Sequence, residues 1–157
     1  MPVGLLNDIA DQCPPEAALL GLDVGTKTIG LALAGGGMGI ATPLHTLART
    51  KFSKDVEALK KVIAEYDIGG FVVGYPVNMD GSAGPRAQSV RDFALELHKA
   101  LGGDAWVALW DERLSTVSVE SFVDEMVGKK STRRNAKASG LIDRLAAQVI
   151  LQGALEY

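Results

Sequence analysis

Apolar positions alternate between short unbroken runs and longer stretches where they recur every three or four residues. The runs are strands. Leu19 to Asp23 reads as a buried strand, and Thr28 to Ala34 as a second one joined to it by the short turn Val24-Gly25-Thr26-Lys27. Gly35-Gly36-Gly37 breaks the pattern, and Ile40 to Arg49 resumes as a third strand. Pro43 makes that strand an edge or bends it, because proline donates no hydrogen bond to a ladder.

Helical spacing follows. Val56, Leu59, Ile63 and Tyr66 line one face of a helix that Ser53 can cap. Asp67 to Gly74 is again a short apolar strand. The loop from Tyr75 to Gly84 leads to Pro85, a good first-turn residue, and Val90, Phe93, Leu97 and Leu101 give that helix its stripe until Gly102-Gly103 ends it. Ala105 to Trp110 is the last strand. A helix capped by Ser115 or Thr116 carries Val119, Phe122, Val123 and Met126 and stops at Gly128; Ser139 opens a final helix that runs nearly to Tyr157.

Three strands, then helix, strand, helix, strand and further helices predict an α/β domain. Helices between the later strands imply parallel crossovers, whereas the opening hairpin is antiparallel. The expectation is a mixed five-stranded sheet with helices on both faces. At 157 residues the chain reads as one domain, residues 19–157, behind an N-terminal arm, residues 1–18, that contains Pro14-Pro15. A hydrophobic fraction of 47% suffices for a core, and no apolar run approaches the roughly 18 residues of a membrane span. The start lacks the pattern of a signal peptide, and the single Cys13 suits a reducing cytoplasm.

A net charge of −3 does not advertise nucleic-acid binding. The local pattern differs: Lys129, Lys130, Arg133, Arg134 and Lys137 crowd a stretch without an acid. Such a run reads either as a solvated loop or as a grip on phosphates.

Three acidic stations carry the candidate chemistry. Asp23 ends an apolar strand, where a carboxylate wants a metal or a hydrogen bond from the turn at Gly25-Thr26. Asp111 and Glu112 end the last strand. Successive strand side chains point to opposite faces, so one of the two faces a shared site; Glu112 is the choice and Asp111 the fallback. Arg113 can neutralise the other acid or meet a phosphate. At about 100° per residue, Asp143 lies at the border of the apolar face formed by Ile142, Leu145, Ala146, Val149 and Ile150. It can reach over the strand ends, or simply favour the helix N-terminus. Carboxylates so placed suit hard cations, and paired cations suit phosphoryl displacement.

The Gly25 turn with Lys27 could admit phosphate oxygens, but it lacks the spacing of a Walker loop or a dinucleotide fingerprint. His45 and His98 lie far from other soft ligands, which argues against zinc. Asn78, Asp80 and Ser82 read as turn-formers.

These segments together resemble the YqgF/RuvX family of RuvC-like proteins, described as Holliday junction resolvases or pre-16S rRNA nucleases. The resemblance rests on Gly21-Leu22-Asp23-Val24-Gly25-Thr26-Lys27-Thr28-Ile29-Gly30 and on Val73-Gly74-Tyr75-Pro76-Val77-Asn78-Met79-Asp80-Gly81-Ser82 with Gly84-Pro85-Arg86-Ala87. Asp111-Glu112-Arg113-Leu114-Ser115-Thr116 and Ile142-Asp143-Arg144-Leu145-Ala146-Ala147 complete it. It implies an RNase H-like fold and a cytoplasmic nuclease dependent on Mg²⁺ or Mn²⁺, acting on ribosomal RNA precursor or branched DNA. Asp23, Glu112 (or Asp111) and Asp143 would be the catalytic metal ligands. Lys27, Arg113, Lys129, Lys130, Arg133 and Arg134 are the candidate phosphate contacts. The partner is nucleic acid rather than membrane, and the expected state is a monomer or weak homodimer. Two positions depart from the family's pattern: Thr28 stands where the family usually has arginine, and Ala34-Gly35-Gly36-Gly37 where it often has an acid.

Two other readings compete. One is a non-catalytic nucleic-acid or ribosome-associated module that keeps the acids for structure. The other is nucleotide binding as in actin-like ATPases and sugar kinases, which need a second such domain facing the first. Tyr75 or Trp110 could stack a base in a single-stranded substrate, or belong to the core.

Overall fold

The computed structural model describes residues 3–37, 39–78, 80–114 and 140–157. The expected helix after Thr116, the basic run with Lys129, Lys130, Arg133, Arg134 and Lys137, and Ser139 lie outside the described residues.

The described elements are β1 (Val3–Leu5), α1 (Leu6–Ile9), β2 (Ala18–Val24), β3 (Thr28–Ala34), β4 (Ala41–Ala48), α2 (Phe52–Tyr66), β5 (Ile68–Tyr75), α3 (Pro85–Ala100), β6 (Trp106–Asp111) and α4 (Leu141–Leu155). One sheet contains all six strands in the order β1-β6-β5-β2-β3-β4. β2, β3 and β4 pair antiparallel; β2 with β5, β5 with β6 and β1 with β6 pair parallel.

The sheet therefore has one strand more than the five expected. Val3, Gly4 and Leu5 pair with Val107, Ala108 and Leu109. Three residues carry no readable period, so the added edge strand had no local signature. The arm then turns into α1, and the indole N–H of Trp106 donates to the carbonyl of Ile9 at 2.9 Å. Pro43 acts as anticipated: the β3–β4 register shifts beside it, between Leu31 and Ala32.

Alternation divides the core into two layers. Leu20, Leu22 and Val24 of β2 join Phe71, Val73 and Tyr75 of β5 against Val56 and Leu59 of α2 and Val90, Phe93 and Leu97 of α3. Leu19, Val72, Trp106, Ala108 and Trp110 pack on the other face with α1 and with Ala147, Ile150 and Leu151 of α4. α2 begins at Phe52 rather than at a Ser53 cap. Asp55 reaches back instead, accepting from the Thr50 backbone N–H at 2.9 Å and from its hydroxyl at 3.2 Å.

Candidate active site

Asp23 is the last but one residue of β2, on the side of the strand that also carries Leu19 and Gly21. That side faces α4. A Cβ on Gly21 would stand 2.7 Å from the Cβ of Leu151 and 3.1 Å from the carbonyl oxygen of Ala147. The absent side chain lets α4 lie close on the sheet, and alternation brings Asp23 to the same face.

A layer of residues crosses the sheet at the level of Asp23. On β3, Asp23 pairs with Gly30, which pairs in turn with Thr46 of β4. On the other side Leu22 pairs with Val73, so continuing that register sets Asp23 beside Gly74. Gly74 pairs with Trp110 of β6. Asp23 is thus flanked by two glycines, and each leaves room for one of the other acids. A Cβ on Gly30 would collide with the carbonyl of Asp143 and come within 3.1 Å of its Cβ. A Cβ on Gly74 would stand 2.7 Å from Oε1 of Glu112.

α4 is held at this position from its first turn. Gly140, at φ 80°, precedes the helix. The Thr46 hydroxyl donates to its carbonyl at 2.6 Å, and farther along Gln148 donates to the Ala41 carbonyl at 2.9 Å. Asp143 lies one turn in, half-buried beside the sheet.

Alternation and pairing set Asp111 and Glu112 apart in the structure. Trp110 packs toward α4, so Asp111 points away and Glu112, beginning a short 3₁₀ turn, returns to the α4 side. Asp111 is held by Arg113: its Oδ2 accepts from Nη2 at 2.6 Å, and its Oδ1 from the Arg113 backbone N–H at 2.9 Å. That clamp keeps the Asp111 carboxyl below the usual carboxylate range, mainly through the guanidinium hydrogen bonds. Of the two roles weighed for Arg113, the structure shows the neutralising one. Lys27 is exposed on the turn between β2 and β3.

Asp23 and Glu112 behave oppositely to Asp111. Burial pushes the Asp23 carboxyl up, the nearby charge of Arg86 draws it back, and the charge of Asp143 pushes it up again. Burial also raises Glu112; the charge of Asp23 adds to this, Arg86 opposes it and Asp111 contributes. Asp23 thus feels the charge of Asp143 and Glu112 that of Asp23, and Arg86, in the first turn of α3, acts on both Asp23 and Glu112. What the sequence could not show for Arg86 was the fold, which brings the start of α3 near the ends of β2 and β6.

Chemically the site offers hard oxygen donors under mutual repulsion, which a divalent cation would relieve. That donor set fits Mg²⁺ or Mn²⁺. As placed, no three acidic, histidine or cysteine side chains among the described residues stand close enough to grip one ion together. Tyr75 and Trp110 are 7% and 2% exposed, so neither is a stacking platform; both belong to the core.

Comparison with known proteins gives a consistent family. The family model described as "RuvX: Holliday junction resolvase" matches residues 17–157. A protein of Rhodobacter capsulatus named "Putative pre-16S rRNA nuclease" is 51% identical over 96% of this chain and 91% of its own length. A relative of the same name from Roseobacter denitrificans is 46% identical over 97% of this chain and 92% of its own. Among solved structures, Thermus thermophilus RuvC in complex with a Holliday junction substrate superposes with a TM-score of 0.55 at 15% identity, covering 89% of this chain and 95% of that one. The yeast mitochondrial resolvase Ydc2 gives 0.50 at 14% identity, with 96% and 82% covered. At such identities the structural likeness speaks for the fold alone, which is RNase H-like.

Proposed function

This chain belongs to the RuvX family and is a nuclease, and we propose that it hydrolyses phosphodiester bonds with divalent metal held by Asp23, Glu112 and Asp143. The observation that carries the proposal is the layer Glu112, Gly74, Asp23, Gly30, Asp143, in which each missing Cβ makes space for an acid. Asp111, clamped by Arg113, is not in the ligand set.

Mg²⁺ or Mn²⁺ bound there would polarise the phosphoryl group and supply an activated water at neutral pH. The chain's own residues do the rest. Asp23, rigid on a central strand between two glycines, orients the site. Glu112 and Asp143 close it from β6 and α4. Arg86 balances the carboxylates before substrate arrives and offers its guanidinium to the entering phosphate, which it suits by geometry. Lys27 and the run Lys129, Lys130, Arg133 and Arg134 hold flanking phosphates in a sequence-blind way. Arg113 holds Asp111 in an ion pair and feels the charge of Asp80.

The substrate we infer is a ribosomal RNA precursor, supported by what the relatives are named for. Branched DNA is the second reading, supported by the family's description. We place the protein in the cytoplasm, as a monomer or weak homodimer; no described helix is long and apolar enough to cross a membrane. Incubating the protein with Mg²⁺ or Mn²⁺ and either a 16S precursor transcript or a four-way DNA junction tests the reading. Cleavage of the transcript at a defined end, lost on chelation, is the expected result. Cleavage of the junction alone would replace the RNA assignment, and cleavage of neither would return the chain to the non-catalytic module.

A further inference from the structure

Beyond Leu109 the edge of β6 is uncovered by β1. β1 pairs only with Val107 to Leu109, and at Leu6 the chain turns away into α1. A cleft of about 140 Å³ opens there, lined by Leu5, Leu6 and Asn7 on one side and by Trp110, Asp111 and Tyr157 on the other. Tyr157 is 65% exposed. Its ring meets Trp110 edge-on, with centroids 5.5 Å apart and planes at 79°. The buried indole props the phenol at the cleft mouth and leaves much of the ring open.

We propose that this cleft is a subsite for one unpaired nucleobase next to the bond that is cut. The proposal rests on the nuclease reading of the acidic site and adds the substrate class: nucleic acid with a single-stranded flank. Three observations carry it. The first is continuity with the acidic site. Trp110 and Glu112 are two positions apart, with Asp111 between them, at most about 7 Å of chain, so a base in the cleft places a neighbouring phosphate near the acids. The second is chemistry. The described walls are largely apolar and aromatic and include the amide of Asn7, which suits a flat ring with polar edges. Among the side chains of the described lining residues the carboxylate is Asp111, which is already held by Arg113 and so repels a phosphate backbone less. The third is size. The cleft takes one ring system and not a base pair, and a paired base presents no free face to Tyr157.

Trp110 is the buried support, and the exposed ring is Tyr157.

The test uses the full chain in EDTA, so that binding is read without cleavage. Two hairpin RNAs share one duplex; one is blunt and the other carries a short unpaired flank with 2-aminopurine. The wild type should bind the flanked hairpin more tightly and change the 2-aminopurine emission. Tyr157→Ala should weaken that binding by about 5- to 150-fold, the loss of one stacked base, and leave the blunt hairpin unchanged. Tyr157→Phe should keep wild-type affinity. Tyr157→Leu, which retains a side chain against Trp110, should behave like Tyr157→Ala while melting like the wild type. Equal affinity of Tyr157→Ala and the wild type for the flanked hairpin overturns the proposal, as does an equal loss on both hairpins. If the subsite stands but no metal supports cleavage, the nuclease reading falls alone. If cleavage stands and Tyr157→Ala binds normally, the subsite falls alone.

Discussion

The carbonyl of Asp143 lies where a side chain on Gly30 would begin. A central strand and the last helix thus touch through bare backbone at the very residue that pairs with Asp23. Gly30→Ala should push the start of α4 off the sheet and carry Asp143 away from Asp23. Overpacking of this kind costs about 1–3 kcal/mol, which denaturant unfolding would read. Nuclease activity should fall by far more than that loss of stability explains. Gly21→Ala is the control: it strains α4 against Leu151, two turns beyond Asp143, so it should destabilise comparably and spare more activity.

Burial and neighbouring charge raise the carboxyls of both Asp23 and Glu112. The folded state then holds their protons more tightly than the unfolded chain does. Their contribution to stability is fully present below the unfolded values, near 3.8 and 4.5, and is lost as pH rises through the higher folded values. Without metal, Asp23→Asn should therefore melt above the wild type at pH 7, with the gap closing as pH falls below about 4. Millimolar Mg²⁺ or Mn²⁺ should raise the wild-type Tm and leave Asp23→Asn nearly unmoved, because only a native site binds the ion. A wild-type Tm indifferent to both ions would contradict the metal assignment.

Arg49 ties the turn after Asp23 to the helices behind the sheet. Its Nη1 donates to the Gly25 carbonyl at 2.8 Å and its backbone N–H to that of Lys27 at 2.9 Å. Its guanidinium lies 5.4 Å from the centroid of the Phe93 ring, and its Nε is 4.0 Å from Oδ2 of Asp55, which is 4% exposed. Asp55→Ala removes the acceptor of two bonds from Thr50 and leaves Arg49 without its anion. A loss of about 2–4 kcal/mol is expected in chemical denaturation, the range for breaking a buried charged contact. Arg49→Ala should cost less stability, because Arg49 is partly exposed, and should raise KM by loosening the turn that carries Lys27.

Much of this arrangement was legible in the sequence. The apolar runs placed β2, β3, β5 and β6, and the Pro43 irregularity in β4 followed from proline's missing donor. Strand alternation allowed only one of Asp111 and Glu112 to face a shared site without saying which; in the structure Glu112 lies beside Gly74 on the α4 side. Long-range relations were not legible. Val3 to Leu5 is too short to show a period, and its pairing with β6 depends on strands a hundred residues away. Ser53 looked like a cap because capping is read locally, whereas Asp55 turns back on Thr50 from inside the helix. Trp110 and Tyr75 were ambiguous because an aromatic at a strand end serves core or ligand equally well; burial decided for the core.

The basic run calls for a measurement in solution. Replacing Lys129, Lys130, Arg133 and Arg134 with Gln should weaken binding to RNA of any sequence and reduce the slope of log affinity against log salt. For single strands the reduction is up to about 3, at roughly 0.7 per phosphate contact. The Mg²⁺-induced rise in Tm should remain, since the run supplies no carboxylate. Unchanged affinity and slope would make the run a solvated loop and leave the grip to Arg86 and Lys27.

The proposed site joins Asp23, Glu112 and Asp143 and leaves out Asp111, which Arg113 holds. The most direct measurement is the rate of metal-dependent cleavage of an end-labelled precursor RNA by four single variants, each checked for an intact fold. Asp23→Asn, Glu112→Gln and Asp143→Asn should each lose about a thousandfold or more, the several kcal/mol that metal stabilisation of the transition state supplies. Asp111→Asn should keep most of the activity and lose only a little stability with its Arg113 clamp. An inactive Asp111→Asn beside an active Glu112→Gln, or cleavage that persists in EDTA, would contradict the site.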